Sequence, residues 1–139
     1  MGSRMDADEL RLIVQKLARR IRANRPDQGI ADAQLSVLFL LDREGELTPG
    51  RIAENEHVTP PSINRTLGGL EASGWIRRRP DPGDARRVLV SMTDAGAALV
   101  QETRRLRTAW FTRRLAELSP EDRRALEAAA PVLRRLAQS

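Results

Sequence analysis

The sequence predicts a mainly α fold carrying one small β-hairpin, on three observations. Apolar residues recur at three-and-four spacing through most of the chain, the period of a helix with one face in a core. Two helix starts stand close together, Thr48-Pro49 and Thr59-Pro60-Pro61, each a capping hydroxyl followed by proline at the first helical position. One stretch alternates with period two, Val88-Leu89-Val90-Ser91-Met92, behind the turn residues Pro80-Asp81-Pro82-Gly83-Asp84. A chain of 139 residues has room for a single domain that buries its own core.

From Glu9 to Ile21, the residues Leu10, Ile13, Val14, Leu17 and Ile21 share one helical face with arginines opposite, which makes an amphipathic first helix. Asn24-Arg25-Pro26-Asp27-Gln28-Gly29 is a turn. Leu35, Val37, Leu38, Leu40 and Leu41 then predict a helix buried on more than one side, closed by Asp42 to Gly45. Thr48-Pro49 opens a short helix that buries Ile52 and Ala53, and Thr59 opens a second that runs to Ser73 and stops at Gly74. Two short helices so close together make a helix-turn-helix. Trp75 to Met92 forms the hairpin, and Thr93-Asp94 caps a long helix with Leu99, Val100, Leu106, Trp110 and Leu115, ending near Leu118. Ser119-Pro120 starts the last helix, expected to bury Leu126, Ala129, Leu133 and Leu136 and to be kinked or shortened at Pro131.

A hairpin placed directly after the second helix of a helix-turn-helix is a wing, so the class is a winged helix-turn-helix with extra helices at both ends. Those terminal helices carry Leu10, Ile13, Leu17, Leu126, Leu133 and Leu136. That is more apolar surface than a compact winged domain of about 70 residues could cover, so they need one another and a partner copy.

With no cysteine, disulfides, thiolate metal sites and cysteine-based redox sensing are excluded. Met1-Gly2-Ser3-Arg4-Met5 resembles a cloning scar ahead of a native Met5, and no apolar run suits a signal peptide or the roughly 20 residues of a membrane span. A cytoplasmic protein is expected. The net charge is +5 and Lys16 is the only lysine. Arginine suits phosphates and guanine edges, yet a genome rich in G and C would also favour it, so composition leaves both readings open and placement has to decide.

At about 100° per residue, Ile63, Leu67 and Leu70 form one inward stripe of the second short helix. The opposite face holds Pro61, Arg65, Gly68, Gly69 and Ala72, with Ser62 and Asn64 at its margins. Each glycine inside a helix costs roughly 0.8 to 1 kcal/mol against alanine, a sacrifice that close approach to a DNA groove would explain. A weak or kinked helix end is the plainer explanation. The hairpin gathers Arg77, Arg78, Arg79, Arg86 and Arg87, and the spacing of Asp84 and Arg86 puts both on one strand face, where the carboxylate can fix the guanidinium before it enters a minor groove. A solvated hairpin would carry such charges too. His57, the only histidine, lies in the turn between the short helices, and nothing stands at metal-ligand or acid-base spacing to it. Neither an enzyme nor a cofactor is expected.

Val58-Thr59, Ser62, Arg65, Leu70-Glu71, Gly74 and Arg78, then Asp81-Pro82-Gly83-Asp84-Ala85-Arg86 and Val90-Ser91-Met92-Thr93-Asp94-Ala95-Gly96, resemble the MarR-type bacterial regulators, named for multiple antibiotic resistance. The Asp-x-Arg wing running into a Thr-x-x-Gly helix start is the specific part. The resemblance covers nearly the whole chain as a single domain, with residues 1–29 and 97–139 as dimerisation helices and residues 30–96 as the winged DNA-binding lobe. It implies a homodimeric repressor on a pseudopalindromic operator, with half-sites roughly 34 to 36 Å apart. Ser62, Asn64 and Arg65 would serve the major groove and Arg86 the minor groove, with Thr59, Pro61, Arg79, Asp84 and Arg87 as further DNA-binding candidates. It also implies relief by a small phenolic or anionic effector, for which Phe39 and Trp110 are the aromatic candidates. Ala31 departs from the family's capping Ser or Thr ahead of the helix that carries Gln34, and the Gly68-Gly69 pair is unusual. The alternative to DNA reading is a winged-helix module that binds protein, its arginines a solvated face.

Overall fold

The structure is a computed structural model that describes residues 4–138; residues 1–3 of the cloning-scar stretch lie outside the described residues. The chain runs α1 (Ala7–Arg22), α2 (Asp32–Glu44), α3 (Pro49–Glu56), α4 (Pro60–Ala72), β1 (Ile76–Asp81), β2 (Asp84–Met92), α5 (Asp94–Ala116) and α6 (Pro120–Gln138). It divides into two compact units, one formed by the chain up to Asn24 together with the chain from Arg105 onward, the other by Arg25–Arg104.

Hydroxyl caps set the helix starts where the sequence puts them. Thr48 Oγ1 accepts from Arg51 N at 3.3 Å, Thr59 Oγ1 from Ser62 N at 3.3 Å, and Ser119 Oγ from Asp122 N at 3.1 Å. Helix α2 begins without such a hydroxyl, since Ala31 holds the cap position; instead Gln34 Oε1 reaches back to accept from Ala31 N at 2.9 Å, half of a capping box. Helix α3 ends on His57, held in the left-handed region at φ 55° and ψ 44°. Helix α4 ends through Gly74 at φ 78°, which lets Trp75 N return to Leu70 O and Gly74 N to Glu71 O, both at 3.0 Å.

The core of the Arg25–Arg104 unit is a cluster that includes Leu38, Leu40, Ile52, Leu67, Leu70, Val90 and Val100, drawn from α2, α3, α4, β2 and α5. The inward stripe of α4 expected from the sequence, Ile63, Leu67 and Leu70, is buried. The hairpin is antiparallel, with Ile76 opposite Met92 and Pro80 opposite Val88. On the other edge of β2, Leu47 exchanges two backbone hydrogen bonds with Val90, of 3.2 and 2.8 Å, so the segment ahead of α3 acts as a short third strand. The Thr-x-x-Gly start of α5 closes the wing. Thr93 Oγ1 donates to Gly74 O at 2.6 Å and accepts from Gly96 N at 3.1 Å.

In the other unit, two expectations are corrected. Helix α6 continues through Pro131 to Gln138, so the proline does not shorten it; the ring removes the N–H that would bond Glu127 O, in a helix exposed along almost all its length within the single chain. Nor are Leu126, Leu133 and Leu136 buried within the single chain, where they stand 44%, 46% and 65% exposed. Helix α1 likewise has no buried residue and presents Ile13, Val14 and Leu17 to solvent.

Candidate nucleic-acid interface

Helix α4 turns Pro61, Asn64, Arg65, Gly68 and Ala72 outward, with Thr59 exposed at its cap and Ser62 half-buried. Among the described residues, the side chains of Asn64 and Arg65 make no hydrogen bond or ion pair. They follow a helix start where Pro60 and Pro61 have no N–H and Ser62 N is taken by Thr59 Oγ1, so the side chains, rather than free amides, offer the donors of this face. Gly68 belongs to this open face, with nothing within 4 Å of where a Cβ would stand. Gly69 does not: a Cβ there would lie 2.5 Å from Gln34 Nε2 of α2. Its smallness admits a neighbouring side chain, and of the two glycines only Gly68 opens to solvent. Helix α4 also runs unbroken past both glycines, so they mark no helix end.

The five hairpin arginines separate into different roles. Arg78 points toward α4, half-buried, its Nε 3.8 Å from Glu71 Oε2 and without a hydrogen-bond partner. Arg79 gives two donors to one carboxylate, Nε to Glu46 Oε2 at 3.1 Å and Nη2 to Glu46 Oε1 at 2.9 Å. That hydrogen bonding, then the charge of Glu46, holds the Arg79 guanidinium protonated beyond its ordinary range. Asp84 Oδ1 accepts from both the backbone N (3.0 Å) and the Nε (3.3 Å) of Arg86, so the pairing expected from their spacing forms, with the guanidinium itself almost fully exposed. Asp81 Oδ1 accepts from Gly83 N at 2.9 Å and fixes the turn. Arg77 and Arg87 are exposed and unpaired among the described residues. Every cation of this surface is an arginine.

The two aromatic candidates lie in different units. Phe39 packs half-buried against the core under the Arg104 guanidinium, 5.4 Å from the ring centroid, and Arg104 also bonds Asp42 at 2.6 Å. Trp110 is stacked near Phe111 and lies beneath Arg20 at 5.4 Å and Arg114 at 5.9 Å. His57 contributes its backbone conformation to the turn. Among the described residues no cluster of three or more His, Cys, Asp or Glu could hold a metal, and no helix is long and apolar enough to cross a membrane. Sequence reasoning missed Glu46 and Gln34, whose partners lie 33 and 35 residues away in the chain and are brought close only by the fold.

Residues 30–88 match the family model described as MarR family. An uncharacterized helix-turn-helix transcriptional regulator of Mycobacterium bovis is 41% identical over 127 residues, covering 91% of this chain and 89% of that one. The transcriptional repressor MdtR of Bacillus subtilis is 31% identical over 130 residues, covering 94% and 82%. A solved Pseudomonas aeruginosa protein assigned as a transcriptional regulator superposes with a TM-score of 0.84 at 35% identity, over 96% of this chain and 94% of that one. The chain belongs to the MarR family of helix-turn-helix transcriptional regulators.

Proposed function

We propose that the protein represses transcription as a homodimer, placing one α4 and one hairpin in each half-site of a pseudopalindromic operator. The observation that carries this reading is the outward face of α4: uncommitted Asn64 and Arg65 near a capped N-terminus, beside the open backbone at Gly68. In that pose Arg65 reads a base edge in the major groove, Asn64 and Ser62 support it, and Thr59 and Pro61 set the approach of the helix end. Arg86, steadied by Asp84, enters the minor groove, while Arg87 and Arg77 meet phosphates. The similarity to the Bacillus subtilis transcriptional repressor MdtR supports the direction of control. The exposed leucines of α1 and α6 supply the dimer surface.

Binding to the DNA upstream of the protein's own coding sequence, followed by fluorescence anisotropy beside a scrambled duplex, tests the reading. Preference for the upstream duplex by about a thousandfold or more is expected. Arg65→Ala should lose about 1 to 3 kcal/mol of that affinity, as befits a base contact. Weak and equal binding to both duplexes, unchanged in the variant, would point instead to a winged-helix module that binds protein.

A small phenolic or anionic effector suits the aromatic residues, because each offers a ring face already attended by guanidinium. Such a ligand should quench tryptophan fluorescence and release the operator. If Trp110→Phe leaves the quenching intact, Trp110 is not the reporter and the neighbourhood of Phe39 is the place to look.

A further inference from the structure

Arg79 lies on β1 and Glu46 lies beside the short third strand, with β2 between them. Their two-point hydrogen bond therefore passes over β2 on the solvent side of the hairpin and joins its outer strand to the segment that leads into α3. The contact is half-covered, with side-chain exposures of 45% and 39%, and both forks of the guanidinium used are aligned on the carboxylate. The pair is 33 residues apart in sequence, so its geometry depends on the placement of the wing relative to the helix-turn-helix. On the opposite side of the strand, Arg78 faces Glu71 of α4, so adjacent residues of β1 grip two different elements. Arg77, one residue further back, stays unpaired.

We propose that Arg79 and Glu46 form a clamp that positions the wing for DNA, making Arg79 a positioning residue in place of the phosphate contact its sequence position suggests. The clamp rests on the DNA reading given above for α4 and the hairpin. A phosphate would have to displace a carboxylate that already satisfies two of the guanidinium's donors, while Arg77, Arg86 and Arg87 stand ready nearby. What the pair supplies is orientation: it fixes the hairpin, and thus Arg86, against the element that carries α3 and α4.

The two roles make opposite predictions for Glu46. If Arg79 contacts phosphate, Glu46→Gln removes a competing negative charge and tightens operator binding, whereas Arg79→Gln weakens it and reduces the salt slope by about 0.9, one phosphate's worth. If the pair is a clamp, both variants weaken binding to the upstream duplex by a similar factor, about 2- to 10-fold for partners in one ion-pair network. The double variant is then no worse than either single one, and the salt slope keeps its wild-type value. Exchanging the charges, Glu46→Arg with Arg79→Glu, recovers part of the loss. Hydrogen exchange of the hairpin amides, measured on the full chain without DNA, should quicken in each single variant and slow again in the exchanged one. Exchange at the wild-type rate in both single variants overturns the clamp whatever the DNA result, as does tighter binding by Glu46→Gln. Absence of any preference of the wild-type protein for the upstream duplex would remove the DNA reading, and the exchange rates would still decide the clamp.

Discussion

Gly96 lies under the carbonyl of Trp75: a Cβ at this position would stand 2.3 Å from Trp75 O and 2.7 Å from Met92 Cγ. The nearer atom is backbone and cannot swing aside, so Gly96→Ala must push α5 from the foot of the wing. Overpacking of this kind costs about 1 to 3 kcal/mol, and a lower denaturation midpoint with an unchanged denaturant slope should report it. The Thr-x-x-Gly pattern visible in the sequence thus has a double basis, a hydroxyl that bonds both Gly74 O and Gly96 N, and a glycine that admits the carbonyl. Other residue-level features were hidden. The arginine run of β1 shows as a run of charge, but the partition of Arg78 to Glu71 and Arg79 to Glu46 depends on which strand face meets which element. Nothing in the residue types marks Glu46 off from Glu44 two positions earlier.

At the scale of the element, α4 joins two requirements that favour different residues. Gly68 has helical neighbours and empty space where a side chain would go, so Gly68→Ala should stabilise the protein by roughly 0.5 to 1 kcal/mol, the propensity difference alone. The same methyl group would stand on the surface offered to the groove, so operator affinity should fall while thermal stability rises. Those two measurements moving together, in either direction, would show that Gly68 is not on a reading surface. The helix boundaries were legible because caps are local: threonine or serine with the residues just after it suffices at Thr48, Thr59 and Ser119. Pro131 was not legible in the same way. A missing N–H is costly where its carbonyl partner is buried and cheap where water can replace it, and periodicity alone does not say which. Gly69 does not share the open outward face for a related reason: helical angle gives direction, and the neighbour that fills that direction, Gln34, comes from another helix.

For the whole molecule, the exposed leucines and valines of α1 and α6 dominate. Leu12, Ile13, Val14, Leu17, Leu126, Val132, Leu133 and Leu136 are each at least 41% exposed in the single chain. Leu17→Glu with Leu133→Glu should therefore yield a monomer by sedimentation. Its binding to a full operator should collapse toward the weak affinity of one half-site, whereas helix content should hold. Operator affinity of the unaltered protein should also fall steeply with salt, since each neutralised phosphate contributes about 0.9 to the log-log slope. An affinity flat across about 50 to 200 mM salt would argue against a phosphate-tracking surface altogether. The arginines that make up that surface have one further consequence. Guanidinium groups do not react with acyl donors under conditions that acylate amines, and they stay protonated across the whole physiological range. With Lys16 of α1 as the only lysine, α4 and the hairpin carry a positive charge that lysine acetylation has no means of erasing. Amine-directed dyes, for the same reason, can be attached without touching Arg65 or the hairpin arginines.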